Sequence, residues 1–140
     1  MTVQEIHRYI WDAVIGYIDK HKEDLTDDTI RASRTINLVK VQATDALYNE
    51  GKIDLRAHRM LCNQCSCVLC VLYRVCEACP LYEQQRHKCS SFKSDYSKVL
   101  DKYDQEAALK IRNIDVLSGD NPNEVAVEML EGLYDSTGNS

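Results

Sequence analysis

The feature that most constrains this chain is a short stretch, from Cys62 to Cys89, that contains all seven of its cysteines. It reads CNQCSCVLCVLYRVCEACPLYEQQRHKC, and its first six cysteines form three C-x2-C pairs. In chain order these pairs are Cys62/Cys65, Cys67/Cys70 and Cys76/Cys79. A C-x2-C pair suits tetrahedral zinc because a tight turn directs both sulfurs at one point. The stretch therefore predicts a cysteine-rich knuckle with zinc as its cofactor.

The three pairs can supply a four-ligand zinc site in two ways. The first and third pairs give C-x2-C-x10-C-x2-C, a comfortable separation for two turns that face one ion. The second and third pairs give the tighter C-x2-C-x5-C-x2-C. Cys89, with His87 two residues before it, can complete either set. The third pair belongs to both arrangements, and the sequence leaves its partner open.

Two other interpretations of the cysteines stay open. Closely spaced cysteines followed by proline, as at Cys79-Pro80, occur in loops that bind iron–sulfur clusters, but the ferredoxin spacing is not reproduced. The thiols can also be reduced and without a cofactor, because free cysteine packs as a small hydrophobe. A continuous helix over residues 55–75 would then place Cys65 in an ordinary core stripe. An odd number of cysteines disfavours a complete disulfide framework.

Hydrophobic periodicity predicts an all-α fold of about five helices around one core. Scarce glycine and proline, 5 and 2 in the chain, favour helices over a turn-rich β fold. Apolar residues recur at helical spacing in the segments 2–22, 27–50, 53–61, 94–117 and 123–134. Thr26 and Asn123 are expected N-caps. Gly119 is expected to close the fourth helix, in which a break near Asp101–Asp104 would also fit.

The size of the chain, 140 residues, fits a single domain. We expect it to consist of a helical N-terminal part (1–61), the knuckle (62–90), C-terminal helices (91–134) and a frayed tail (135–140).

The overall charge and hydropathy limit the partners. A formal net charge of −5 and a pI near 5.3 argue against a general nucleic-acid or acidic-membrane binder. Charged residues interrupt the N-terminal segment, so it does not resemble a signal peptide. No run approaches the roughly 20 apolar residues that span a bilayer. We therefore expect a cytoplasmic protein without membrane contact, in which thiols stay reduced.

A basic island around Cys89 is the local exception to the acidic balance. Its cations are Arg86, Lys88, Lys93 and Lys98, with aromatic side chains between them. Such a patch can bind the phosphates of nucleic acid, although a solvated edge is the more frequent origin of such a run. A solvated edge is also expected for the cations of the second predicted helix, Arg31, Arg34 and Lys40.

No catalytic constellation is recognisable in the sequence. It lacks a G-x-S-x-G elbow, a phosphate-binding glycine loop and an H-E-x-x-H helix. His7 and His21 flank the first predicted helix, where we expect surface or boundary positions. His58 precedes Cys62 by four residues and could share a site with it on a helix face, although an ordinary histidine is the more frequent case. We expect a protein that is not an enzyme.

The later part of the knuckle resembles a group of small phage and prophage proteins. The residues that carry the resemblance are Cys67-Val68-Leu69-Cys70, Cys76-Glu77-Ala78-Cys79-Pro80-Leu81, Cys89 and the Ser-Asp-Tyr at 94–96. Those proteins have a C-P-L-C…C-x2-C-P-L…C core followed by an alanine-rich amphipathic helix, which Asp104–Leu117 resembles. In this chain Val68 stands where proline is usual, and the first C-x2-C pair is additional.

The resemblance implies a viral accessory protein rather than a reaction. Together with the knuckle, it predicts a non-enzymatic phage-type protein that binds and modulates a host protein in the host cytoplasm, with zinc fixing the binding surface. The aromatic residues of the first helix, Trp11 among them, also fit a homo-oligomer. A zinc-dependent nucleic-acid-binding regulator is the first alternative, and an iron–sulfur or redox protein is the second.

Overall fold

The computed structural model describes residues 1–21, 23, 29–64 and 66–133, except for the side chains of 29–33. Every regular element in these ranges is helical. The α-helices in these ranges are α1 (Val3–His21), α2 (Thr29–Asn49), α3 (Leu55–Asn63), α4 (Val68–Leu72), α5 (Pro80–Gln85), α6 (Asp95–Lys102), α7 (Gln105–Arg112) and α8 (Glu124–Leu130). A 3-10 turn, Cys76–Ala78, lies between α4 and α5. The predicted all-α class is confirmed for the described residues.

The expectation of about five helices is wrong, because the described ranges contain eight. The knuckle supplies two of the additional helices, α4 and α5. The third arises because the predicted 94–117 helix is divided at Tyr103, whose φ of 51° is left-handed and ends α6. Asp104 then caps α7, since its side chain accepts a hydrogen bond of 3.0 Å from the Ala107 amide.

The ends of the last two helices also differ from the prediction. α7 ends at Arg112, so Gly119 lies in the loop beyond it and does not close a helix. Asn123 is an N-cap as predicted, and its side chain accepts a hydrogen bond of 3.2 Å from the Ala126 amide. α8 ends at Leu130, earlier than expected. The predicted cap Thr26 and the predicted frayed tail lie outside the described residues.

Helix α1 lies at the centre of the core and packs against α2, α4 and α7. Its buried stripe repeats every four residues and consists of Ile6, Ile10, Val14 and Ile18. Trp11 widens this stripe and is only 1% exposed; its ring meets the Tyr96 ring edge-on at 5.9 Å. The aromatic side chain that could have faced a second copy is therefore part of the core.

Two polar residues that were expected at the surface are buried instead. His7 is 1% exposed, and its Nε2 donates a hydrogen bond of 2.8 Å to the carbonyl of Ile111 on α7. Lys40 of α2 is 0% exposed, so the expectation of a solvated edge is wrong for this residue. Its position explains this, because Lys40 follows Ile36 by four residues and shares its apolar face.

The knuckle is joined to the core by the segment 116–123, which connects α7 to α8. Four hydrogen bonds link the two: Tyr73 Oη to Val116 O (2.6 Å), Gly119 N to Tyr73 Oη (3.1 Å), Asp120 N to Ala78 O (3.1 Å) and Asn123 N to Leu72 O (2.9 Å). Gly119 is required by this contact. A Cβ there would overlap the Ala78 carbonyl oxygen and lie 2.8 Å from Pro80 Cδ.

Candidate metal sites

Four of the cysteines line one cavity of about 170 Å³. Cys70 comes from α4, Cys76 from the 3-10 turn, Cys79 from the residue before α5 and Cys89 from the loop after α5. His87 also lines this cavity. We call it the knuckle cavity. The second and third C-x2-C pairs therefore both contribute to it, together with the late cysteine.

Local backbone structure brings these cysteines to the knuckle cavity. The Cys79 amide donates a hydrogen bond of 3.0 Å to the Cys76 carbonyl and closes the 3-10 turn. Pro80 then occupies the first position of α5, where a missing N–H costs nothing. Arg86 ends α5 in a left-handed conformation, with φ of 61°, and turns the chain back towards Cys89. The turn is stabilised by Gln85, whose side-chain amide donates to Cys89 Sγ at 3.4 Å.

Burial favours the protonated form of two of the cavity thiols, Cys79 and Cys89, in the absence of metal. Burial raises the pKa of Cys89 to about 11, against a smaller opposing effect of the Gln85 hydrogen bond. Burial likewise raises the pKa of Cys79. Binding of a metal must displace these protons, so we expect affinity at this cavity to increase with pH.

Cys67 does not line the cavity, and its sulfur is hydrogen-bonded to the Cys70 thiol. A hydrogen bond from the Cys70 thiol lowers the pKa of Cys67, whereas donating that bond raises the pKa of Cys70. The positive charge of Lys40 contributes to the lowering at Cys67. Lys40 Nζ donates to Tyr96 Oη at 2.6 Å and lies 5.6 Å from the centre of the Trp11 ring. The buried ammonium of Lys40 is therefore close enough to Cys67 and Cys70 to favour their thiolate forms.

Lys40 is the residue of this site that the sequence interpretation missed. The sequence did contain a signal for it, because Lys40 lies on the apolar face of an amphipathic helix and side chains on that face are normally buried. The cysteine spacing concerns only residues 62–89, whereas Lys40 reaches the site from α2.

Cys62 is placed elsewhere, beside Asp45 and His58. Asp45 Oδ1 lies 2.6 Å from His58 Nε2, and Cys62 Sγ lies 3.8 Å from the same nitrogen. Burial and the charge of Asp45 raise the pKa of Cys62. Among the described residues, this is the group of three whose ligand atoms all lie within 4.8 Å of one another. The other member of the first C-x2-C pair, Cys65, lies outside the described residues.

The cations of the basic island do not form one continuous patch of unpaired charge. Lys88 Nζ lies 3.7 Å from a carboxylate oxygen of Glu77, and Lys98 Nζ lies 3.8 Å from one of Asp95. Lys93 lies over the Phe92 ring at 5.8 Å, and Arg86 occupies the C-cap of α5.

Comparison with protein-family models, curated proteins and solved structures gave no match to this chain. Among the helices in the described ranges, none is long and apolar enough to span a bilayer.

Proposed function

We propose that this chain is a zinc protein whose metal is held by Cys70, Cys76, Cys79 and Cys89. The observation that carries the proposal is that four cysteines, from four successive parts of the knuckle, line one cavity of about 170 Å³. Four cysteine sulfurs are a complete ligand set for structural zinc. Four thiolates around a divalent ion carry a net charge of −2, which the neighbouring ammonium of Lys40 partly offsets.

The role of this zinc is to stabilise the knuckle. Its two helices have only 5 and 6 residues, and helices shorter than about 12 residues are marginal without tertiary support. A zinc ion at the cavity crosslinks α4, the 3-10 turn, α5 and the loop at Cys89. The free energy of metal binding then contributes directly to the stability of this segment.

Metal content tests the zinc assignment. The protein, purified without chelator, should be colourless, and Cys79→Ser should lose one zinc equivalent. Cys62→Ser, which removes a thiol outside the cavity, is the matched control and should retain the cavity zinc. After replacement by Co²⁺, the wild type should show an intense thiolate-to-metal charge-transfer band that Cys79→Ser weakens. Unchanged zinc content and an unchanged cobalt spectrum in Cys79→Ser would contradict the proposal.

An iron–sulfur cluster is a second candidate for the same cavity, and the spacing of the thiols favours it. Sulfurs bound to a single zinc ion lie about 3.8 Å apart. Among the described residues, no three of the cavity cysteines have sulfurs within 4.8 Å of one another. An iron–sulfur cluster also takes four cysteine thiolates, and because it contains several atoms its ligands lie farther apart than those of a single ion. Brown protein with stoichiometric iron and sulfide after anaerobic purification would establish the cluster and exclude zinc.

The action that we propose for the knuckle is binding of a host protein by a phage-type accessory protein. Phe92 and Val75 are 80% and 57% exposed, and both belong to the segments that carry the cavity cysteines. Exposed aromatic side chains on a rigid frame are typical anchors of protein interfaces. The ion pairs of Lys88 and Lys98 make phosphate binding the weaker alternative, because an acidic neighbour offsets each charge.

Partner binding is tested with paired surface variants of the zinc-loaded protein. Phe92→Ser should lose the partner captured from bacterial lysate without losing zinc. Leu109→Ser on α7, which removes a 49% exposed apolar side chain outside the knuckle, should retain both. Retention on nucleic acid that falls steeply with salt and requires Lys93 would favour the nucleic-acid alternative instead.

A further inference from the structure

A second group of metal-ligating side chains lies outside the knuckle cavity. It consists of Asp45 on α2 and of His58 and Cys62 on α3. Their carboxylate oxygen, imidazole nitrogen and sulfur all lie within 4.8 Å of one another. The group is separate from the knuckle cavity, since none of its three residues lines it.

The fold holds these side chains on facing helices. His58 and Cys62 are four residues apart, so they lie on the same face of α3, and α3 packs against α2. The start of α3 is fixed by Asp54, whose side chain accepts a hydrogen bond of 2.9 Å from the Ala57 amide. The Tyr48 ring lies 5.1 Å from the imidazole at 44° and limits its rotation.

One nitrogen of the histidine faces both other groups. Asp45 Oδ1 and Cys62 Sγ lie 2.6 Å and 3.8 Å from Nε2, respectively. In a nucleophile–histidine–carboxylate relay, the nucleophile and the acid contact opposite ring nitrogens. Here both groups approach the same nitrogen instead, and the three ligand atoms lie within 4.8 Å of one another. This convergence fits a bound cation and does not fit a proton relay.

We propose that Asp45, His58 and Cys62 bind a zinc ion, with water in the fourth position. Tetrahedral zinc places a nitrogen ligand about 3.6 Å from a sulfur and about 3.4 Å from an oxygen. The Nε2 to Sγ distance of 3.8 Å is already close to this value. The Nε2 to Oδ1 distance of 2.6 Å must open by about 0.8 Å, which rotation of one aspartate side chain provides.

The surroundings also suit a divalent cation. One carboxylate and one thiolate neutralise Zn²⁺, so the loaded site carries no net charge. The buried Ser66 hydroxyl lies next to Cys62, and its hydrogen bond to the thiol opposes the rise in the pKa of Cys62. This hydroxyl is available to donate to the thiolate, as outer-shell groups of metal sites do. The Asp45 and His58 side chains are 47% and 22% exposed, so the ion can enter from solvent.

Zinc protection of Cys62 from alkylation tests this site. The full-length protein is reduced, freed of metal with a chelator and titrated with zinc chloride alone. A pulse of iodoacetamide follows, and fragment mass spectrometry measures modification at each cysteine. The thiolate is both the nucleophile that attacks iodoacetamide and the group that binds zinc, so we expect zinc to slow alkylation of Cys62 by about tenfold or more. Equal alkylation of wild-type Cys62 with and without zinc would overturn the proposal.

Paired variants show whether the histidine and the carboxylate are ligands. His58→Gln should abolish the protection of Cys62. Asp45→Asn should raise the zinc concentration needed by at least the roughly 10–100-fold that loss of an outer-shell partner costs. His21→Gln is the matched control, because His21 also stacks on a tyrosine, Tyr17, at 4.4 Å. It should leave the protection unchanged. Full protection in His58→Gln, with its helical circular dichroism intact, would refute the ligand set.

The same experiment separates this site from the proposed function. Cys70, Cys76, Cys79 and Cys89 report the knuckle cavity, and Cys62 reports the second site. Protection at Cys62 without protection at the cavity supports the second site and contradicts only the knuckle zinc. The reverse pattern contradicts only the second site.

Discussion

Acidification should destabilise this protein through one buried histidine. Burial of His7 against α7 lowers its pKa from 6.5 to about 4, and the positive charge of Lys40 contributes to this effect. The neutral ring is required in the folded state, whereas the unfolded chain takes up a proton near pH 6.5. The stabilising effect of His7 is therefore complete above about pH 6.5 and is lost as the pH falls to about 4. At about 1.36 kcal/mol per pH unit, the loss is about 3 kcal/mol.

The assay is urea unfolding of reduced, metal-free protein at a series of pH values from about 7 to about 4. His7→Gln is the informative variant, because an amide can still donate to the Ile111 carbonyl but does not titrate. The free energy of unfolding of the wild type should fall by about 3 kcal/mol more than that of His7→Gln. Carboxylates titrate in both proteins, so their contribution cancels in this difference.

His21→Gln serves as the control, because it removes a histidine at the other end of the same helix. It should follow the wild type. The reasoning would be refuted by parallel pH profiles for the wild type and His7→Gln.

Three other perturbations have expected outcomes. Gly119→Ala should lower the free energy of unfolding by roughly 1–3 kcal/mol, because the Cβ would overlap the Ala78 carbonyl. Gly16 lies on α1, where an added Cβ meets nothing within 4 Å, so Gly16→Ala should raise the free energy of unfolding by about 0.5–1 kcal/mol. Urea unfolding measures both, and a stable Gly119→Ala would contradict the packing. Lys40→Met should weaken zinc binding near neutral pH, because loss of the lysine charge raises the pKa of the ligand Cys70, and the effect should be smaller at higher pH. Competition with a chelator at several pH values measures this, and an equal effect at every pH would exclude the electrostatic role. Removal of zinc should open residues 67–94 to proteolysis before α1 is cleaved; simultaneous cleavage would show that the knuckle is stable without metal.

Local signals in the sequence were sufficient for most of the helical structure. The stripe of α1 was evident because apolar residues every three or four positions need only the geometry of one helix. Asn123 was recognised as a cap for a similar reason, since its side chain bonds an amide three residues away. The sequence allowed a break near Tyr103 but did not require it, because the apolar spacing from Val99 to Ile111 continues across the break. The helices of the knuckle were missed because they are too short to show a period.

The arrangement of the site depended on contacts between distant parts of the chain. Spacing alone allowed Cys62 to join the third C-x2-C pair, but the packing of α3 on α2 places it with Asp45 instead. Spacing also gave no sign that Lys40 lies beside Cys67, because that contact joins two elements about 27 positions apart.

By itself, the sequence determined that the chain is helical and that its thiols are concentrated in one segment, because periodicity and residue spacing are properties of the local chain. The tertiary structure alone decided which thiols meet, which cation accompanies them and which histidine is buried. Those outcomes follow from the packing of helices whose relative positions no local pattern encodes.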